Sequence, residues 1–344
     1  MKYNRKIDII IPAYNVPDKT LFKCLSSIAC QTISEDLQVT IVDDASTTQN
    51  YQKVIKFFKP FLNIQILRYE INGGPGVARQ YGIDHTNNEY LTFIDADDTF
   101  AGAFSLQILR QEMETNENHK VCVGCFEEVI EDGGKHPLMF SKKEEDLVWM
   151  FGKLYKREFF EEYNIRFHPT SRANEDSGFN GLVYLFSKEK QILYLGETVY
   201  YWHENPTSIT RINEGEYSYS ADPKGGGFYG FVENLLYIIQ TAQEQRDSGK
   251  FELEKLYFLA SRGLSHLYFY YVDCWAHRQE YAEKNFELCK KFYQEGFAPL
   301  ENEIPQDLLF YCHHSIMRDN YVKDEMDFIP HITFMQFLEQ LKED

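Results

Sequence analysis

Strand-like and helix-like stretches alternate over the first hundred residues, and that alternation predicts an α/β fold: a doubly wound, mostly parallel sheet followed by a helical C-terminal module. Two further observations sharpen the prediction. The strand candidates are continuous apolar runs, as in strands buried on both faces, and three of the first four end in polar residues, at the edge where such sheets bind ligands. From about Tyr217 onward no convincing strand signal remains, and helical periodicity takes over.

Each element follows from local chemistry. Ile7–Ile11 is a β-branched run broken by Pro12, and Leu21, Cys24, Leu25 and Ile28 then recur at helical spacing behind the candidate caps Asp18 and Thr20. Val39–Val42 is a second buried strand ending in Asp43-Asp44, with Tyr51, Val54, Ile55 and Phe58 marking the next helix. Ile64–Leu67 is a third strand, followed by Asn72-Gly73-Gly74 and by Pro75, which suits the first turn of a helix. Tyr90–Ile94 is a fourth, ending in Asp95-Ala96-Asp97-Asp98. Farther on, Val129–His136 reads as a hairpin around Gly133-Gly134, Val148–Phe160 as one amphipathic stretch, Glu175–Phe186 as a helix and Ile192–Tyr201 as a strand. Ala221–Gly227 reads as a flexible junction before helices at Phe228–Gln243, Phe251–Asp273, Gln279–Phe292 and Thr333–Leu341. The expected domains are 1–215 and 216–344.

Composition narrows the function classes. The 344 residues carry 35 Lys and Arg against 53 Asp and Glu, a formal charge of -18. That balance disfavours nucleic acid and anionic bilayers, which are bound through clustered cations, although a local basic patch stays compatible with it. No run approaches the ~18 apolar residues of a membrane span, and the N-terminus runs straight into a strand, so a soluble, cytoplasmic protein is expected. The seven scattered cysteines fit free thiols in a reducing compartment. Cys122 and Cys125 form a C-x-x-C, but the alternating Val121, Val123 and Phe126 make them small core residues of a strand and not a zinc or redox pair. Aromatic residues reach 16%, with 27 Phe and 24 Tyr, and lie heavily in the C-terminal module.

The strand-end carboxylates are the first functional signal, since a sheet needs none there for stability. Asp95, Asp97 and Asp98 at the end of a buried strand call for a compensating cation or for donors. Hard cations such as Mg²⁺ or Mn²⁺ take oxygen ligands and often only one or two protein carboxylates beside substrate phosphates. On the residues alone, a helix cap with solvated neighbours explains the cluster equally well.

A resemblance weighs in here. IDIIIPAYN, QVTIVDDAS, NGGPGVARQYG, YLTFIDADD, WMFGKLYKREFF and NEDSGFNGLVY occur in the order and spacing of the inverting family 2 glycosyltransferases of GT-A fold, over roughly Lys6 to Arg211. The resemblance implies a nucleoside cradle from Pro12, Ala13, Tyr14 and Asn15 together with Asp43 and Asp44, with Asp44 accepting a uracil ring N–H. It implies backbone approach to the nucleotide at Gly73, Gly74 and Gly76, and a base or phosphate contact from Arg79. It places Asp95 on the ribose and either Asp97 or Asp98 on the metal. Asp176, in the pair Glu175-Asp176, becomes the general base that takes the acceptor proton during inversion. Acidic residues also favour a helix N-terminus for structural reasons. His203 stands where the family often has Arg; a neutral imidazole suits Mn²⁺, a charged one the diphosphate, and a structural role is equally open. Ser208 and Thr210 are phosphate candidates if their loop closes.

The expected function is therefore metal-dependent transfer of one sugar from a nucleotide sugar, with UDP favoured, to an acceptor hydroxyl, with Mn²⁺ or Mg²⁺ as cofactor. The Gln-x-x-Arg-Trp motif of processive synthases is absent, which argues against coupled polymer export. Two alternatives differ in class. One is a degenerate nucleotide-sugar-binding protein. The other is a sugar-phosphate nucleotidyltransferase, against which the Pro-Ala-Tyr-Asn turn argues because those enzymes carry a basic Gly-rich loop there. The acceptor classes stay broad: glycans and other hydroxyl compounds, with a modified nucleobase among them despite the acidic charge. The helical module is a candidate for acceptor binding or self-association.

Overall fold

The computed structural model describes residues 6–48, 51–130, 134–138, 148–205, 216–322 and 327–343. Its packing divides the chain into two compact units. The first holds Met1–Thr170 and Ser187–Pro206, the second Ser171–Phe186 and Thr207–Asp344. The chain-order boundary expected near residue 215 thus differs from the division by packing, which places residues 171–186 with the C-terminal helices.

The first unit is built on a nine-stranded sheet. Strands β1 (Ile7–Ala13), β2 (Leu37–Asp44), β3 (Asn63–Tyr69) and β4 (Tyr90–Phe93) pair in parallel in the order β3-β2-β1-β4. The path continues through β8 (Lys153–Lys156), β6 (Val121–Val129), β9 (Ile192–His203) and β5 (Thr99–Phe100), while β7 (Lys135–Leu138) forms a hairpin with β6. In this second half β6 and β9 run parallel and the other pairs are antiparallel. The mostly parallel, doubly wound expectation therefore describes the N-terminal half, and a mixed half completes the sheet.

Strands β1, β2 and β4 are buried on both faces, as their unbroken apolar runs require, while β3, at the sheet edge, is partly exposed. Helix α1 (Asp18–Ala29) buries Leu21, Cys24, Leu25 and Ile28 in the same core as Val54, Ile55 and Phe58 of α2 (Gln52–Phe58). Helix α3 (Pro75–Asp84) opens on Pro75 as expected. Helix α4 (Ser105–Glu114), not anticipated, buries Leu106, Leu109 and Met113, spaced along one helical face. The stretch Val148–Phe160 is a correction. It divides into β8 and α5 (Arg157–Tyr163), because Lys153 is buried in the strand with its Nζ on the carbonyl oxygens of Trp149 and Phe151. At the lower end of the sheet Arg157 donates to Asp8 (2.8 Å), to the Asn88 carbonyl (2.7 Å) and to the Ile83 carbonyl (3.1 Å). All seven cysteines are free, and Cys122 and Cys125 are buried in β6.

The second unit is helical: α6 (Glu175–Phe186), α7 (Gly227–Glu244), α8 (Leu253–His277), α9 (Gln279–Phe292), α10 (Gln306–Val322) and α11 (Phe334–Lys342). The junction at Ala221–Gly227 is a turn, closed by the N–H groups of Gly225 and Gly226 on the Asp222 carbonyl (3.2 and 2.8 Å). Close packing of α6 on α7 depends on small residues. A Cβ at Gly178 would meet Asn234 Oδ1 at 2.1 Å, and one at Gly181 would meet Ile238 Cδ1 at 2.3 Å. Among the described residues, no helix is long and apolar enough to cross a membrane.

Candidate active site

The site begins where three parallel strands end. Tyr14, half exposed, and Asn15 follow β1, and Asn15 adopts a left-handed conformation (φ 50°) that Asn tolerates better than most residues. Its N–H donates to Ser46 Oγ (2.9 Å), and its Oδ1 accepts from the N–H and hydroxyl of Thr47 (2.9 and 3.0 Å). The exits of β1 and β2 are thereby tied into one ledge, just beyond Pro12 and Ala13, the last residues of β1.

The two aspartates ending β2 do different work. Asp43 is fully buried and accepts from the Ser46 N–H (2.9 Å), the Tyr51 hydroxyl (2.5 Å) and Arg68. Burial pushes its carboxyl up, but the bonds from Ser46, Tyr51 and Arg68 outweigh that and leave it below its ordinary value. Asp44 reaches across to the loop after β3, accepting from Gly73 N–H (2.6 Å), Gly74 N–H (2.8 Å) and Asn72 Nδ2 (3.0 Å). Gly74 has φ 89°, a conformation that glycine alone adopts at little cost. Asp44 therefore shapes the glycine loop that opens α3.

Arg79, buried on α3, ion-pairs with Asp95 across 2.6 Å. The turn after β4 then sorts the three remaining carboxylates by depth. Asp95 is partly exposed, and among the described residues only Oδ1 of its two carboxylate oxygens is hydrogen-bonded. Asp97 is partly buried and accepts from Asn205 (2.8 Å); burial and the Asp95 charge push its carboxyl up. Asp98 is buried outright, accepting from the Tyr200 hydroxyl (2.6 Å) and the His203 N–H (2.8 Å). Burial, then Asp97 and Asp95, raise its carboxyl well above the ordinary range, and burial beside Asp98 raises the Tyr200 phenol likewise. Burial and Lys23 hold His203 below its ordinary value, so its imidazole is neutral at pH 7; Nε2 lies 2.8 Å from Thr99 Oγ1.

A divalent ion fits the upper part of this cluster. Like charges pushing Asp97 upward are what a cation would relieve, and Asp97 and Asp95 are the carboxylates that reach the surface. Asp98 is committed to Tyr200 and His203. Among the described residues no group of three or more His, Cys, Asp or Glu side chains is arranged to hold a metal.

Asp176 belongs to the second unit. It stands in the first turn of α6, its Oδ1 accepting from Ser177 N–H (2.8 Å). Asn174, at φ 55°, enters the helix and donates to the Gly227 carbonyl (2.7 Å). Burial, then the charges of Glu175 and Asp176, raise the Tyr217 phenol, so a neutral hydroxyl accompanies this acidic pair. Ser208 and Thr210 lie outside the described residues.

Residues 8–173 match the glycosyl transferase family 2 model. The chain carries a family 2 glycosyltransferase domain. The match ends three residues before Asp176. This glycosyltransferase domain is similar to "Uncharacterized glycosyltransferase EpsJ" of Bacillus subtilis, 28% identical over 223 residues, 60% of this chain and 63% of that protein. It is also similar to a poly(ribitol-phosphate) beta-glucosyltransferase of Bacillus spizizenii, 30% identical over 260 residues, 72% of this chain and 39% of that one. The chain thus spans 63% and 39% of the lengths of these relatives. Among solved structures, Staphylococcus aureus TarS 1–349 in complex with UDP-GlcNAc superposes with a TM-score of 0.68 at 19% identity, over 93% of this chain and 92% of that one. At that identity the likeness establishes the fold, of GT-A type with a helical C-terminal region.

Asn72, Tyr51, Arg68, Tyr200 and Asn205 are the site's supports that sequence reasoning did not assign. Asn72 sits beside a Gly-Gly pair and Tyr51 is eight residues from Asp43, at the start of α2; Arg68, Tyr200 and Asn205 act on carboxylates distant in sequence.

Proposed function

We propose that the chain is a metal-dependent inverting glycosyltransferase that moves one sugar from a UDP-sugar to a hydroxyl acceptor. The observation that carries this reading is the shared ledge. Asp44 at the end of β2 holds the glycine loop, Arg79 holds Asp95, and Asp97 neighbours Asp95 in the turn after β4, all at the carboxyl ends of parallel strands of one sheet, in a family 2 domain.

In this reading Tyr14 and the ledge flank the nucleoside. Asp44, whose Oδ1 accepts a single hydrogen bond, has a lone pair left for a base N–H. Asp95 meets the ribose with the oxygen not held by Arg79. Asp97, and not Asp98, faces the metal, because Asp98 is buried and accepts two hydrogen bonds already. His203 acts through its backbone, which fixes Asp98. A bound Mg²⁺ or Mn²⁺ would supply positive charge opposite the departing diphosphate. Asp176 takes the proton of the attacking hydroxyl on the face opposite the leaving group. UDP is favoured because TarS is seen with UDP-GlcNAc. A polyol-phosphate or glycan acceptor is favoured because two relatives are named poly(ribitol-phosphate) transferases.

The test is transfer by the full chain with a panel of UDP-sugars and such acceptors, followed by UDP release and product anomer. Asp176→Asn is expected to keep donor binding and lower transfer about 10²–10⁴-fold. Unchanged transfer would remove Asp176 from the mechanism. Release of pyrophosphate in place of UDP would turn the reading to nucleotidyl transfer.

A further inference from the structure

An acidic chain exposes a compact basic and aromatic face on α1 and α2. Phe22, Phe57 and Phe61 are 42%, 55% and 63% exposed. Their rings form one patch, with centroids 5.4 Å apart for Phe22 and Phe57 and 6.1 Å for Phe57 and Phe61, while the buried Phe58 lies 5.0 Å from both Phe22 and Phe57. Lys19, Lys23, Lys53, Lys56 and Lys59 are exposed on the same helices and the turn after α2. Lys19 and Phe22 are three residues apart and Lys53 and Phe57 four, so each pair lies side by side on its helix. Among the described residues none of these five lysines takes part in an ion pair, and α2 carries no acidic residue.

We propose that this face docks the protein on an anionic lipid bilayer, with the three phenylalanine rings entering the headgroup boundary and the lysines resting on acidic headgroups. Charge complementarity selects that occupant. Five lysines outside any ion pair outnumber the neighbouring Asp18, in the first turn of α1, and Glu35, which lines one cavity with Lys59 and Phe61. On a chain of net charge -18 they are a local reversal of sign that an anionic surface recognises and a neutral one does not. A second copy meeting the same face would oppose lysine to lysine in an isologous contact. Single-stranded nucleic acid needs open ring faces for stacking, whereas these rings pack against one another at 45° to 81°. The rings lie outside the strand-end site; of the five lysines Lys23 is near enough to His203 to lower its pKa, and none of the substitutions tested below alters it.

The test is co-sedimentation of the full chain with phosphatidylcholine vesicles, with and without about 30 mol% phosphatidylglycerol, at low and high salt. The wild type is expected to pellet with the anionic vesicles only, and less so at high salt. Lys53→Gln with Lys56→Gln should lower the partition coefficient about 25-fold. Phe22→Ser with Phe57→Ser and Phe61→Ser should lower it about tenfold or more. Circular dichroism and melting confirm that each variant folds, and the lysine pair, being fully exposed, keeps the test alive if the ring variant does not. Wild type left in the supernatant overturns the proposal, as does equal pelleting of the lysine variant or of neutral vesicles. So does a wild-type dimer that the ring substitutions break, or tighter binding of an oligonucleotide than of the vesicles.

Discussion

The two compact units both bury neutral polar groups, such as Gln31, Thr40 and Asn88 in the first, but differ in the charge they bury. In the first unit the buried set includes Asp8, Asp43, Asp44, Arg79, Asp98, Lys153, Lys156 and Arg157, and apart from the Asp8–Arg157 clamp and the two lysines these gather where parallel strands end. In the second unit it is Ser171, Asn180, Asn234, Ser261, Ser265 and Asn285, with Glu175 the one buried charged residue among those described. Burying charge is costly and persists only where partners or work compensate it. Neutral amides and hydroxyls settle helix contacts cheaply. Charge at the strand ends therefore marks a site, and the lone buried carboxylate of the helical unit marks the first turn of α6, next to Asp176.

The largest expected effect tests that contrast by stability. Arg157→Met leaves Asp8 buried without its cation and should cost about 3–5 kcal/mol in denaturant unfolding, as breaking a buried pair does. A loss under 1 kcal/mol would show that Asp8 finds other donors, and the contrast would weaken.

Acid should separate the units next. His313 on α10 stacks on Phe334 (centroids 4.2 Å apart), and burial, then His314, lowers its pKa from 6.5 to about 4. The unfolded chain therefore binds a proton that the folded one does not, and stability falls as pH drops from about 6.5 towards 4. His313→Phe, which keeps the stack, should flatten the melting temperature over that window. Asp43 behaves differently: its folded pKa is lowered, so its contribution is complete above the ordinary carboxylate value and is lost as pH falls through the lowered one. Asp43→Asn should therefore change the acid limb only below about pH 4. Coincident acid limbs for the two variants would dissolve the distinction.

The smallest effect belongs to the helical interior. Ser265 donates to the Ser261 carbonyl within α8 (2.7 Å), so Ser265→Ala should shift stability by about 1 kcal/mol or less. A loss comparable to that of Arg157→Met would mean that neutral groups carry as much as buried charge.

Legibility followed the same division. β1, β2 and β4 were readable because strands buried on both faces are continuous apolar runs, and α9 because its apolar spacing is regular. β8 was not, since a buried Lys153 capped by carbonyl oxygens looks like a surface residue in sequence. Helix α10 was hidden by its mixed FYCHHSIMRDNY composition. Within the site, the positions of the carboxylates were legible but their depths were not. Asp97 and Asp98 are neighbours in one motif, and only the Tyr200 hydroxyl and the His203 N–H, about a hundred residues away, tell them apart. Asp44 read as a ligand contact, and its hold on Gly73 and Gly74 emerged only in three dimensions. The basic face was masked by a net charge of opposite sign.

The central claim is that the strand-end carboxylates form a cation-assisted UDP site with Asp97 at its surface. Calorimetric titration of UDP into the wild type and Asp97→Asn, each with Mn²⁺ and again with EDTA, tests it most directly. The expected result is tight binding by the wild type with Mn²⁺, weakened by roughly tenfold or more under chelation, and a variant that binds weakly in both conditions. Equal affinity of the wild type with and without Mn²⁺, or a variant that keeps the full metal dependence, would contradict it.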